Sequence, residues 1–336
     1  MKRGRGRAPA RVNLIGEHTD YSDGYVLPAA LPYFTEVEAE RATGVAAFSE
    51  TFGEERGRPL GAPRGDWLDY LAGVLWALRE VGYDLPGARF WIRSTVPVGV
   101  GLASSAALEV AALKALRALY RLPLADLELA LLAQRAEARY VGVACGVMDQ
   151  VAAALGRPGK ALFLDTRSLA FELLPLFPGV QVVVIDSGVP RRLAESGYNR
   201  RRAECAEAAR LLGVRTLREV TDPGAVETLP EPYRRRARHV VGENRRVLEA
   251  VAALRAGDAR RFGELMVASH RSLAENFEVS TPELDRLVEL ALAHGALGAK
   301  LTGAGFGGAV VALVPTGKVE AFRAGVRAGY PKAAFY

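Results

Sequence analysis

Four short stretches concentrate the residues that could do chemistry. The first, Arg11-Val-Asn-Leu-Ile-Gly-Glu-His-Thr-Asp20, packs a cation, two carboxylates and an imidazole beside an apolar run. Polar groups this dense are costly to bury unless they bind something. Glu17, His18 and Asp20 could together accept and donate hydrogen bonds to several hydroxyls, as discrimination among sugars requires. A polar turn with a satisfied histidine would account for the same residues. The second, Pro97-Val-Gly-Val-Gly-Leu-Ala-Ser-Ser-Ala106, lies between a predicted strand and a helix predicted to begin near Ser104. Glycines let backbone amides approach an anion, and a helix N-terminus adds the positive end of its dipole. That makes either a phosphate cradle or a turn that only redirects the chain. The hydroxyls of Ser104 and Ser105 could reach a magnesium ion or cap the helix. No GxxxxGK[ST] occurs, so a P-loop is not expected.

The third stretch, Cys145-Gly-Val-Met-Asp-Gln150, holds a lone carboxylate among small and apolar residues. Asp149 is a candidate base or a helix N-cap. The fourth, Leu301-Thr-Gly-Ala-Gly-Phe-Gly-Gly308, is a glycine-rich turn entering a strand, either a tight packing loop or one that faces a ligand.

The elements that must position these residues follow from periodicity. Ala8 to Pro97 reads as strands and loops with one helix around Trp67 to Arg79. Leu108, Ala111, Ala112, Ala115, Leu116 and Leu119 recur at helical spacing from Ser104 to Tyr120. A second helix is predicted over Ala125 to Tyr140, just after Pro123. Val180 to Ile185 is apolar and β-branched between Gly179 and Gly188, and so predicts a buried strand. Amphipathic helices follow over Ser196 to Leu212, Ala237 to Leu254, Ala259 to Asn276 and Pro282 to Ala293, with Gly213, Gly257 and Gly295 as stops. A strand is predicted over Ala309 to Val314. The change in pattern places a domain boundary near residue 170 to 180.

Composition removes several classes of function. A chain of 336 residues with 50% hydrophobic residues can bury two moderate cores. Its 44 basic and 38 acidic residues are interspersed, giving a net charge of +6 without a basic tail. The runs Arg200 to Arg202 and Arg234 to Arg236 read as solvated helix faces, and no aromatic-interleaved basic strand points to nucleic acid. Cys145 and Cys205 are the only cysteines. With no CxxC spacing or Cys/His cluster, they fit a reducing cytoplasm and no zinc site. No run of about eighteen apolar residues predicts a membrane span, and the N-terminus does not read as a signal peptide.

Taken in order, the four stretches resemble the GHMP kinases, and Arg11 to Tyr21 is close to the signature of the galactokinase family within that superfamily. The similarity continues through Cys145 to Asp165, Ser196 to Cys205, Ala237 to Arg245, Ser269 to Glu278 and Leu301 to Gly308. The resemblance implies an α+β, two-domain GHMP kinase fold. Residues 1–175 would form a ribosomal-protein-S5-like N-terminal domain and residues 176–336 a ferredoxin-like C-terminal domain, with the active site between them. It also implies ATP-dependent phosphorylation of galactose at the C1 hydroxyl, with Mg2+ as cofactor.

By the same resemblance Glu17, His18, Thr19, Asp20, Gly146, Asp149 and Tyr198 would line the sugar. Gly99, Val100, Gly101, Leu102, Ala103, Ser104 and Ser105 would hold the ATP phosphates, and Ser105 with Glu137 the magnesium. Trp67 and Tyr70 match the aromatic pair beside the adenine, though core packing would use them equally well. Asp149 would accept the proton of the C1 hydroxyl as that oxygen attacks the γ-phosphorus, while Arg11 keeps Asp149 ionised and offsets developing charge. Three positions depart from the family pattern: Ala10 replaces glycine, Val100 a smaller residue and Ala103 a serine. A kinase for a related sugar such as N-acetylgalactosamine is the nearest alternative, and a non-catalytic galactose sensor a more distant one. A cytoplasmic monomer that binds neither nucleic acid nor membrane is expected.

Overall fold

In the computed structural model, which describes residues 3–190 and 194–336, the N-terminal part of the chain folds as strands around a single helix. The strands are β1 (Gly4–Asn13), β2 (Tyr25–Val26), β3 (Pro28–Arg41), β4 (Gly44–Ser49), β5 (Glu54–Arg58) and β6 (Gly87–Ser94), and the helix is α1 (Leu68–Glu80). Next come α2 (Ser104–Tyr120), α3 (Asp126–Arg135) and α4 (Met148–Leu155), then β7 (Lys160–Asp165), β8 (Phe171–Pro175) and β9 (Val180–Asp186). The remainder comprises α5 (Ala194–Leu211), α6 (Tyr233–Ala256), α7 (Ala259–Glu275), α8 (Pro282–Ala293), β10 (Gly298–Thr302), β11 (Ala309–Pro315), α9 (Val319–Gly329) and β12 (Ala334–Phe335). No described helix is long and apolar enough to cross a membrane.

The fold divides into two compact units. One holds the residues up to Arg11 with Ala30–Val98 and Leu102–Pro158, and the other holds Val12–Ala29, Gly99–Gly101 and Gly159–Tyr336. In the first unit β6 lies between β3, to which it is antiparallel, and β4, to which it is parallel, while β5 pairs with β4 and β1 with β3. Period-two alternation buries Phe90 and Ile92 of β6 and Val37 and Ala39 of β3. The helices add Leu71, Val74 and Leu78 from α1 and Val110 and Leu113 from α2 to the buried apolar set. Strand β1 lies so close on α2 that a Cβ at Gly6 would fall 2.0 Å from the carbonyl oxygen of Ala111, and one at Gly4 2.1 Å from that of Ala115. Side chains are excluded there, so the strand that carries Arg11 is seated directly on the helix that carries Ser105.

The helix predicted over Ala125 to Tyr140 does not stay α-helical. It is α3 only to Arg135, and Ala136–Val141 form a π-helical turn. Such widened turns cluster at functional sites, and this one contains Glu137.

In the second unit β9 and β11 are the inner strands of a four-stranded antiparallel sheet ordered β10, β11, β9, β12. Its core joins Val183, Ile185, Val310 and Ala312 of the sheet to Phe277 and Phe322. Helix α7 crosses β10 at Gly263 and Gly298, where an added Cβ would lie 2.0 Å and 2.3 Å from the facing backbone. That close approach holds Lys300, two residues along the strand, deep inside the unit.

Candidate active site

In the first unit, Arg11 and Asp149 are brought together from 138 residues apart. Arg11 Nε donates to Asp149 Oδ1 at 2.7 Å and the second guanidinium nitrogen donates to Oδ2, a bidentate pair. The guanidinium side chain is 5% exposed and the carboxylate side chain 30%. The cation is therefore fixed, while the carboxylate can still be reached. Asp149 is the second residue of α4, whose cap position belongs to Val147. It does not cap the helix, and its charge sits in the first turn, where the helix dipole favours an anion.

Leu102, at the exit of the glycine-rich turn, accepts the backbone N–H of Arg11 at 3.2 Å. Helix α2 begins at Ser104, with Ala103 at its cap position in the left-handed region, φ 59°. Ser104 and Ser105 are thus inside the first turn and neither is the cap. Gly99 and Gly101 have φ of 82° and 92°, conformations that side chains rarely adopt. Val100, Leu102 and Ala103 are buried. The departures at Val100 and Ala103 therefore add no exposed side chain to the turn.

The Ser105 hydroxyl donates to Glu137 Oε1 at 2.9 Å, and Gln150 Nε2 donates to Oε2 at 2.5 Å. Burial raises the Glu137 carboxyl to about 7; the Ser105 hydrogen bond pulls it down and the Asp149 charge pushes it up. Behind it Glu109, wholly buried, is held well above the usual carboxylate range by burial and by Glu137. Gly146 is half-buried in the irregular stretch just before α4.

In the second unit the Gly16–Asp20 turn is anchored from below. Glu17 is 1% exposed, and its carboxylate takes the Lys300 ammonium and the Gly303 N–H, the latter at 3.3 Å. Burial raises the Glu17 carboxyl to about 7 against the pull of Lys300. Thr19, expected among the sugar contacts, is fully buried, and its hydroxyl reaches the carbonyls of Gly16 and Tyr25 at 3.0 and 2.7 Å. His18, at φ 62°, places Nε2 3.1 Å from the Ala304 carbonyl and Nδ1 2.9 Å from the Tyr21 hydroxyl. A carbonyl only accepts, so Nε2 carries the proton and Nδ1 accepts from Tyr21. Burial, and next the neighbouring His239, hold His18 down at about 3, so the ring is neutral. Tyr198, half-buried, lies 5.4 Å from both the His18 and the Tyr21 rings, meeting Tyr21 edge-on. Asp20, partly exposed, opens the short helical turn beside them.

Sequence reasoning missed the supports of this turn. His239 Nε2 lies 3.1 Å from the Glu17 carbonyl. Glu243 accepts the Gly16 N–H at 2.9 Å and the Ser269 hydroxyl at 2.6 Å. Burial alone would raise Glu243, but Arg246 and then His239 and Lys300 outweigh it and hold the carboxyl at about 2. Lys300 did leave a signal, a lone cation inside the otherwise uncharged strand Gly298-Ala-Lys-Leu-Thr302. His239 and Glu243 lie on a helix as rich in charge elsewhere, and nothing in their spacing singles them out.

Trp67 and Tyr70 stand at the start of α1, both half-buried. The Trp67 indole N–H donates to Glu54 at 2.6 Å, and its ring lies 5.9 Å from that of the half-exposed Phe52. Trp67 is therefore not enclosed in the core.

Three family models match: GHMP kinases N terminal domain over residues 69–157, GHMP kinases C terminal over 250–332, and the galactokinase galactose-binding signature over 2–41. A galactokinase of Thermococcus kodakarensis is 47% identical over 327 residues, covering 97% of this chain and 93% of that one. The chain belongs to the galactokinase family of GHMP kinases. A Roseiflexus galactokinase is 48% identical over 341 residues, covering 94% of this chain and 85% of that one. The structure of Lactococcus lactis galactokinase complexed with galactose superimposes with a TM-score of 0.94 at 36% identity, covering 100% of this chain and 92% of that one. Methanococcus jannaschii mevalonate kinase, at 20% identity and a TM-score of 0.71 over 100% of this chain and 97% of that one, shares the fold.

Proposed function

We propose that this galactokinase-family chain transfers the γ-phosphoryl group of ATP to the C1 hydroxyl of galactose, yielding galactose 1-phosphate and ADP. The observation that carries the mechanism is the bidentate Arg11–Asp149 pair, with its carboxylate partly exposed and its guanidinium buried. Asp149 accepts the proton of the C1 hydroxyl as that oxygen attacks the γ-phosphorus. Each carboxylate oxygen has a second lone pair beyond the one given to Arg11, so the pair need not break first. Arg11 holds Asp149 in place through its two hydrogen bonds and offsets charge on the transferred group. Phosphoryl transfer asks little more of a protein than this positioning and charge balance.

His18, Asp20, Gly146 and Tyr198 face the sugar in this reading, while Glu17 and Thr19 give the turn its shape. The turn from Gly99 to Ser105 holds the phosphates, and Trp67 and Tyr70 flank the adenine. Ser105 and Glu137 offer adjacent hard oxygen donors, the kind Mg2+ takes when substrate phosphates complete its shell. The bound ion would neutralise charge on the phosphates. Cys145 and Cys205 form no disulfide, and the reading places the chain in the cytoplasm as a monomer.

ADP release measured with ATP, Mg2+ and a panel of sugars tests this reading. Galactose should exceed glucose in kcat/KM by on the order of 100-fold or more. Equal rates with N-acetylgalactosamine would move the assignment to a related sugar kinase. No ADP release with any sugar would make the protein a sensor.

A further inference from the structure

A cavity of about 670 Å³ opens in the second unit, on the flank of α6 and α7, and nothing in the proposed reaction uses it. Its volume is that of a small-molecule site. Five guanidinium groups line it, from Arg218, Arg238, Arg245, Arg246 and Arg271, against the carboxylates of Glu227 and Glu275 alone. Arginines thus outnumber carboxylates five to two in the lining itself, with Asp165 and Glu243 behind the wall offsetting two of them. Three of the five arginines are tied locally, Arg238 to Glu227 at 2.9 Å, Arg218 to Asp165 at 3.3 Å and Arg246 to Glu243 at 2.7 Å. Arg245 comes only within 3.8 Å of Glu249, and the side chain of Arg271 makes no ion pair or hydrogen bond among the described residues. The guanidinium of Arg218 lies 3.5 Å over the Tyr25 ring, a flat wall beside the charge.

We propose that this cavity binds a small organic phosphate, to whose oxygens Arg245, Arg246 and Arg271 donate hydrogen bonds. Guanidinium groups are the side chains best matched to phosphate oxygens. The wall is also the back of the Gly16–Asp20 turn. Arg246 Nε donates to the buried Glu243 at 2.7 Å, and Glu243 accepts the Gly16 N–H. Asn244 Oδ1 accepts the Tyr25 N–H at 2.9 Å, and Ser272 Oγ lies 2.9 Å from His239 Nδ1, the ring that reaches the Glu17 carbonyl. A phosphate that draws Arg246 toward itself weakens the hold of Glu243 on Gly16 and loosens the turn. Occupation of the cavity therefore lowers affinity for the sugar, a consequence that rests on the galactose reading, whereas the phosphate site does not.

Calorimetric titration of the full chain with inorganic pyrophosphate, at constant ionic strength and with a non-hydrolysable ATP analogue filling the glycine-rich turn, tests the site. The wild type should bind one equivalent, and the exposed double variant Arg245→Gln, Arg271→Gln should bind at least about 10-fold more weakly. Galactose titrated next should bind several-fold more weakly when pyrophosphate is present in the wild type, and equally with or without it in the variant. No heat with the wild type, or equal affinity in both proteins, overturns the site. Pyrophosphate binding that leaves galactose affinity unchanged overturns the coupling. The pyrophosphate isotherm is recorded without sugar, so it decides the cavity whatever the galactose titration gives.

Discussion

Two ion pairs flank the same signature stretch, and they do opposite work. Arg11 and Asp149 in the first unit, and Glu17 and Lys300 in the second, are each a cation and a carboxylate in direct contact. Glu17 and Lys300 are sealed, at 1% and 0% side-chain exposure, whereas Asp149 keeps 30%. A carboxylate that substrate cannot reach cannot take its proton, so the first pair can be chemical and the second is architectural. Burial also raises Glu17 to about 7 and leaves Lys300 to hold its charge in place. Charge pairing alone therefore does not mark a catalytic carboxylate; the fraction left open does.

The sharpest way to break this contrast is to remove the sealed cation. Lys300→Met leaves Glu17 buried and unpaired, and chemical denaturation should show a loss of about 3–5 kcal/mol of stability. A stable Lys300→Met protein would mean that the second pair is not architectural. Arg11→Met acts on the other pair. It should lower kcat about 10²- to 10³-fold by removing one preorganised donor, with the unfolding curve less affected than for Lys300→Met.

A weaker but signed effect belongs to His18. Its folded value of about 3 lies below the ordinary 6.5, so the unfolded chain takes up a proton that the folded ring refuses. Its contribution to stability is complete above pH 6.5 and is lost as pH falls toward 3. Stability measured against pH should therefore have a flatter acid limb in His18→Asn, by up to about 1.4 kcal/mol per pH unit; an unchanged limb would place His18 outside the buried network. Smallest of all, Ser105→Ala removes one oxygen beside Glu137. The Mg2+ concentration for half-maximal rate should rise about 10-fold, and no change would remove Ser105 from the metal.

Helices were legible where their apolar spacing is regular: α2, which carries Ser105, runs from Ser104 to Tyr120 and α8 from Pro282 to Ala293, as their periodicity predicts. The π-helical turn at Ala136–Val141 was not, since nothing in the Glu-Ala-Arg-Tyr pattern there distinguishes i→i+5 from i→i+4 bonding. Residue type marks Arg11 and Asp149 as chemical candidates, but their roles as a working pair come only through the resemblance; on spacing alone Asp149 reads equally well as a cap. The seating of Val12–Ala29 with the second unit depends on Glu243, His239 and Lys300, which meet the turn from more than 200 residues away. Partners that distant leave no local period to read.

The most direct test of the account is the turnover of Asp149→Asn, an isosteric change that keeps an acceptor for Arg11 but cannot take the hydroxyl proton. In single-turnover experiments with saturating galactose, ATP and Mg2+, the rate should fall on the order of 10³-fold while the protein remains folded and still binds ATP. Retention of more than about a tenth of the wild-type rate would contradict the assignment of Asp149 as the base.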